Sequence, residues 1–169
     1  EMGAIQPIPE IGAICKEKGV LFHTDAVQAV GHMRIDVKEM GIDMLSLSGH
    51  KLHAPKGTGA LYCRKGIKLE PLIHGGGQER GLRSGTEATA QIAGFAKAVE
   101  LRLENYDEKI RHIADLKALC REKLLTIPGM VAVGSGTAPH ILAVSLPGYP
   151  SSNIVNDLGS RGICISAGS

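Results

Sequence analysis

The stretch "SLSGHKLHAPKGTG", residues 46–59, decides how this chain of 169 residues is read. Asp43 to Ser48 is short and mostly apolar, which predicts a strand buried on both faces. It ends directly in Ser48, Gly49, His50 and Lys51, so a hydroxyl, an imidazole and an amine are delivered to one point at a strand's carboxyl end. Upstream, "VLFHTDAVQAV" (20–30) begins as a short apolar run and breaks at Thr24 and Asp25; downstream, "GTGALYCRK" (57–65) supplies a third strand. Before them, "PEIGAICKEKG" (9–19) reads as a helix opened by Pro9, with Ile11, Ile14 and Cys15 on one face and Gly19 as its stop. "IDVKEMGI" (35–42) predicts a second, shorter helix. Alternation of strands with helices argues for an α/β fold with a mostly parallel, buried sheet. Ligands of such sheets sit outside the carboxyl ends of the strands, which puts Asp25 and Lys51 in one neighbourhood.

Residues 71–87, "PLIHGGGQERGLRSGTE", are too polar and glycine-rich for a core element and predict a long functional loop. A long helix is expected from Glu87, with Ala90, Ala93, Gly94 and Ala98 forming a small-residue face. "YDEKIRHIADLKALCREKLLTI" (106–127) predicts another, with Ile110, Ile113, Leu116, Leu119 and Leu124 at helical spacing. Two strand-like runs (129–133 and 140–146), a capped helix (150–162) and the strand-like "ICISA" (163–167) then follow in an α+β pattern. This predicts a large domain over residues 1–104 and a small C-terminal subdomain over 105–169.

Composition narrows the classes. Hydrophobic residues make up 43% of the chain, enough for a real core, and a net charge of +2 creates no field that implies nucleic acid as partner. Cys15, Cys63, Cys120 and Cys164 lie far apart without CxxC spacing, which suits reduced thiols in the cytoplasm better than a disulfide framework or a metal site. Each falls on an apolar pattern, so each reads as a buried structural thiol. No apolar run is long enough to span a membrane and no leader pattern is present. The chain opens without an initiator Met and stops after "GICISAGS", and only three sheet strands precede the second subdomain, so the expectation is an incomplete large domain. Alone, such a piece is expected to expose a sheet edge and apolar surface and to associate with other chains.

Taken singly, the polar candidates have plain explanations. A lysine at a strand end is most often a solvated charge, His50 and His53 suit any loop, and Asp25 suits a turn cap. Together they suggest more. An amine sheltered at a strand end, a hydroxyl and an imidazole suited to a phosphate, and a carboxylate on the adjacent strand able to keep a ring nitrogen protonated are the parts of a pyridoxal phosphate site.

The segments "EMGAIQPI", "HTDAVQAVG", "SLSGHKLHAPKGTGALY" and "HGGGQERGLRSGTE", in this order and spacing, resemble the cysteine desulfurases of the NifS/IscS type, first group, within the class-V aminotransferases of fold type I. The likeness runs over essentially the whole chain. It implies that Lys51 binds pyridoxal phosphate covalently, that Asp25 pairs with the pyridine nitrogen and Gln28 with the phenolic oxygen, and that Ser48 and His50 hold the phosphate. It further implies that Thr86 reaches the phosphate of a neighbouring subunit, making a homodimer part of the site, and it implies no metal.

The activity implied is conversion of L-cysteine to L-alanine, with Lys51 as proton shuttle. A persulfide passes to a sulfur-acceptor protein such as an iron-sulfur scaffold. The family's nucleophilic cysteine follows the motif in which "ISAGS" ends this chain, and none of the four cysteines stands there. The family's ring-stacking histidine and carboxylate-binding arginine have no counterpart here either, so these residues alone are expected not to catalyse desulfuration. The alternatives are a related class-V aminotransferase, a selenocysteine lyase, or a non-catalytic scaffold of the same fold. Against the scaffold stands the retention of Lys51, Asp25 and His50 together.

Overall fold

The computed structural model describes residues 1–168; Ser169, the expected end of the second subdomain, lies outside them. The chain divides into two compact units between Asn105 and Tyr106. The first is Pro7–Asn105; the second joins Glu1–Gln6 to the residues from Tyr106 onward.

The first unit opens with α1, Ile8–Lys18. Proline sits in its first turn with Glu10, Lys16 and Lys18 sit in its last, and Gly19 closes it in the left-handed conformation (φ 67°), donating to the carbonyls of Cys15 and Lys16. Strands β1 (His23–Asp25), β2 (Met44–Ser48) and β3 (Gly59–Cys63) form one sheet in that order. β1 pairs parallel with β2, aligning Asp25 with Ser46, whereas β3 pairs antiparallel, aligning Ser48 with Gly59. The sheet described is therefore mixed, and the expected parallel pairing holds for β1 and β2 only. The reason lies in the connection: Gly49 to Thr58 falls short of the dozen or so residues that a parallel crossover needs, so β3 returns antiparallel.

Burial is one-sided. Ala26, Ile42 and Leu45 are 2–4% exposed and gather Ile8, Phe22, Val30, Leu47 and Tyr62 around them. Side chains alternate along a strand, so Leu45 and Leu47 face this core while Met44, Ser46 and Ser48 share the opposite face. There His23 and Asp25 are exposed and Leu61 is 52% exposed. The prediction of strands buried on both faces is thus corrected.

Residues 35–42 also differ from expectation: they form one capped turn, not a helix. Asp36 Oδ1 accepts the amides of Lys38 (2.8 Å) and Glu39 (3.0 Å), and Gly41, at φ 63°, stops the chain after that turn. Helix α2, Thr89–Leu103, half-buries Gly94, Phe95, Ala98, Val99 and Arg102, while Ala90 and Ala93 of the predicted small-residue face are exposed.

In the second unit, α3 (Tyr106–Leu124) half-buries a stripe of Ile110, Ile113, Lys117 and Leu124; Leu116 and Leu119 fall outside it and are about half exposed. Strands β4 (Val131–Ala132) and β5 (Val144–Ser145) pair antiparallel, and α4 spans Ser151–Ser160. Lys117 Nζ donates to the carbonyls of Gly136 and Ala138, and Thr137 Oγ1 accepts the Ile5 amide at 2.9 Å, which seats the first residues on this unit. Residues 163–167 form no strand and Cys164 is exposed, as is Cys120, while Cys15 and Cys63 are half-buried. The buried-thiol reading is corrected accordingly: an apolar run becomes buried only where another element pairs with it or covers it.

Candidate functional site

The site begins where β1 and β2 end. The Ala26 amide donates to the Ser46 carbonyl at 2.9 Å, continuing the parallel ladder one step beyond Asp25 before the chain turns away. Asp25 Oδ1 accepts the Val27 amide at 2.9 Å, so Asp25 does cap the turn after its strand, and its second carboxylate oxygen is left over for another partner. Both amides that close this turn, Ala29 and Val30, donate to the Ala26 carbonyl, and Gln28 stands exposed at its tip.

β2 runs directly into a turn of 3₁₀ helix, Gly49–Leu52. The Gly49 amide donates to the Thr58 carbonyl at 2.9 Å, and a Cβ at position 49 would lie 2.7 Å from Thr58 Oγ1 and 3.1 Å from Ala54 Cβ. That crowding explains the glycine between Ser48 and His50: only a bare Cα lets the strand bend so sharply against the start of β3. His53 ends the turn in the left-handed conformation (φ 63°). Within it, Ser48 Oγ and His50 Nδ1 are joined by a 2.7 Å hydrogen bond. Lys51 is half-buried, less sheltered than a fully buried strand end would make it, and among the described residues it has no hydrogen bond or ion pair. Leu52 (4% exposed) and Ala54 (9%) anchor the turn from below.

Residues 73–85 form a closed loop. Ser84, 7% exposed, donates its hydroxyl to the Ile73 carbonyl at 2.6 Å, and the Gly85 amide donates to Gln78 Oε1 at 3.2 Å. Its tip holds Glu79 and Arg80 with φ of 49° and 59°, two successive non-glycine residues in left-handed backbone. Thr86 is exposed just after this closure, and among the described residues no hydrogen bond joins it to the turns that follow β1 and β2.

The arrangement thus collects Asp25, Ser48, His50 and Lys51 at the carboxyl end of one parallel pair, with Gln28 on the adjoining turn and Thr86 apart from them. Two participants escaped the sequence reading. His23 Nε2 hydrogen-bonds Ser46 Oγ at 2.8 Å on the face that carries Asp25; the two-residue spacing of His23 and Asp25 was a signal for this. Ser84, which closes the glycine-rich loop, had no signal beyond being a small polar residue between glycine-rich runs.

These donors suit pyridoxal phosphate chemically: an amine for the aldehyde, a carboxylate for the ring nitrogen, and a paired hydroxyl and imidazole for the phosphate. A family model described as aminotransferase class-V matches residues 1–169. The chain is 48% identical to "Cysteine desulfurase IscS" of Clostridium botulinum across all of its own length and 44% of that protein's. It therefore spans less than half of that relative. The structure superposes on a NifS-like protein from Rickettsia africae with a TM-score of 0.95 at 35% identity, covering 100% of this chain and 48% of that one. It also matches the structure of SspA in complex with cysteine, with a TM-score of 0.76 and 38% identity over 100% of this chain and 47% of that one.

Proposed function

This chain belongs to the class-V aminotransferase family and carries part of the large domain of a fold type I enzyme, and on that premise we propose that it is part of a pyridoxal phosphate-dependent cysteine desulfurase. The observation that carries the reading is the delivery of Asp25, Ser48, His50 and Lys51 to the carboxyl ends of two adjacent parallel strands. Pyridoxal phosphate, when bound, withdraws electrons from the α-carbon of an amino acid joined to it.

The chain's own residues do the rest. Lys51 would hold the cofactor covalently, and its amine would take the proton from the substrate's α-carbon and return it to the product. Asp25 keeps the ring nitrogen protonated through the carboxylate oxygen not used on Val27. Gln28 donates its amide to the phenolic oxygen, and Ser48 and His50, oriented by their mutual hydrogen bond, hold the phosphate. Thr86, on its exposed loop, serves the phosphate of a second subunit in a homodimer.

The substrate is L-cysteine, in keeping with the cysteine complex of the similar SspA. In the net step a thiol of the full-length enzyme takes the sulfur: the substrate's C–S bond and the thiol's S–H bond break, an S–S bond and a C–H bond at the β-carbon form, and alanine and an enzyme persulfide result. That persulfide passes to an acceptor protein such as an iron-sulfur scaffold. A cytoplasmic setting agrees with four cysteines free of disulfides.

The test uses the full-length protein. Borohydride reduction followed by peptide mass spectrometry is expected to find the reduced cofactor on Lys51, and cysteine is expected to yield alanine. Lys51→Ala is expected to lose the adduct and all alanine formation. A full-length protein that carries no cofactor on Lys51 and makes no alanine would overturn the proposal.

A further inference from the structure

The turn carrying Gln28 and the turn carrying Lys51 are held against each other by α2. Arg102, near the end of that helix, donates from Nε to the Gly31 carbonyl at 2.6 Å. Gly31 adopts φ 80°, and a Cβ there would lie 2.5 Å from Leu52 Cδ2 and 3.1 Å from Arg102 Cγ. The methyl group of the residue that follows Lys51 therefore rests on the bare Cα of Gly31, while the Arg102 stem presses on the same atom from another side. A second point of contact lies earlier on the helix, where a Cβ on Gly94 would be 3.0 Å from Pro55.

We infer that Arg102 is a positioning residue, acting through Gly31 and Leu52 to lock the two cofactor-binding turns into one arrangement. The inference rests on the reading of those turns as a pyridoxal phosphate site. Among the described residues, no hydrogen bond or ion pair joins Arg102 to the residues assigned to the cofactor.

Its burial argues against a role in stability alone. Arg102 is half-buried, and its Nη2 is buried without a hydrogen-bond partner among the described residues, so one edge of the guanidinium is desolvated while Nε alone gains the Gly31 bond. Burying a cation so incompletely costs about as much as it returns, and apolar replacements at such positions are often tolerated. What the charge-assisted bond supplies is direction: it fixes where the Gly31 carbonyl, and with it the end of the Asp25–Gly31 turn, stands relative to Leu52.

The experiment compares full-length wild type, Arg102→Leu, Arg102→Lys, Gly31→Ala and Lys97→Ala, the last an exposed residue on the same helix. Hydrogen exchange of the cofactor-free proteins reads the clamp directly. Arg102→Leu and Gly31→Ala are expected to speed exchange at the amides of Ala29, Val30, His53 and Ala54 together, with the thermal midpoint moving by only a few degrees. Titration with pyridoxal phosphate, followed by its visible absorbance, is expected to show binding weakened about tenfold or more in both variants. Arg102→Lys, which keeps a cationic donor on a long stem, is expected to recover part of the loss, and Lys97→Ala to behave as wild type.

Unchanged exchange in both turns, or exchange that rises throughout the unit with a large fall in thermal midpoint and no recovery in Arg102→Lys, would overturn the inference. Wild type that takes up no pyridoxal phosphate would overturn the proposed function instead, leaving the exchange result to judge the clamp.

Discussion

At the scale of single residues, the site depends on Gly49 as much as on the groups that flank it. A side chain there would be driven against Thr58 Oγ1, and that hydroxyl cannot swing away without losing its 2.8 Å bond to the Pro55 carbonyl. Gly49→Ala is therefore expected to destabilise the protein by about 1–3 kcal/mol, the usual cost of overpacking a tight site. It is also expected to weaken binding of the proposed cofactor by displacing Ser48 and His50, the residues proposed to hold its phosphate. Urea unfolding and cofactor titration check the two effects separately. Gly12 shows the same logic without a site: a Cβ there would sit 2.0 Å from the Met40 carbonyl oxygen, so at this point the backbone of α1 lies directly on the 36–41 turn.

At the scale of elements, the 3₁₀ turn after β2 and the closed loop 73–85 solve different problems. The turn is anchored by buried Leu52 and Ala54, whereas the loop is held by hydrogen bonds around Ser84 and Gln78. Two left-handed residues at the loop tip cost about 1–2 kcal/mol each in non-glycine backbone. Arg80→Gly is expected to remove its own share of that cost while adding about 0.5–1 kcal/mol of unfolded-chain entropy, a net gain of about 0 to 1.5 kcal/mol. Differential scanning calorimetry of Arg80→Gly against wild type checks the sign. A loss of more than about 1 kcal/mol would mean that the arginine side chain, not the backbone, is what the loop needs.

At the scale of the whole molecule, acid is the weak condition. The Phe22 amide first, and the Arg64 guanidinium second, hold the Asp43 carboxyl below the usual carboxylate range; Asp36 is lowered by the amides of Glu39 and Lys38. A carboxyl whose folded value is depressed contributes stability above its unfolded value, about 3.9, and the contribution disappears as pH falls through the folded value. Stability is thus expected to be insensitive to these two groups above about pH 5 and to fall below about pH 4. Asp43→Asn is expected to flatten part of that fall, measured as the urea midpoint against pH. Asp43 also ties β2 to the chain on both sides, through Phe22 and through Arg64 at 2.5 Å, so its protonation loosens the sheet and not merely a surface charge. The surface carries the apolar exposure expected of it, with Leu72 91% exposed and Leu61 52%.

What the sequence by itself determined is local. Pro9 and Gly19 bracket α1, short apolar runs mark the neighbourhood of β1 and β2, and Gly49, His50 and Lys51 follow Ser48 at the end of β2 without a break because each of these signals acts over a few residues. Tertiary structure decided the rest. It decided that β3 returns antiparallel and that residues 1–6 join the second unit. It also chose Arg102 to reach Gly31, seventy-one positions away. Periodicity and capping report what a segment prefers, whereas pairing, covering and long-range hydrogen bonds depend on which other segments arrive, and no local pattern carries that information.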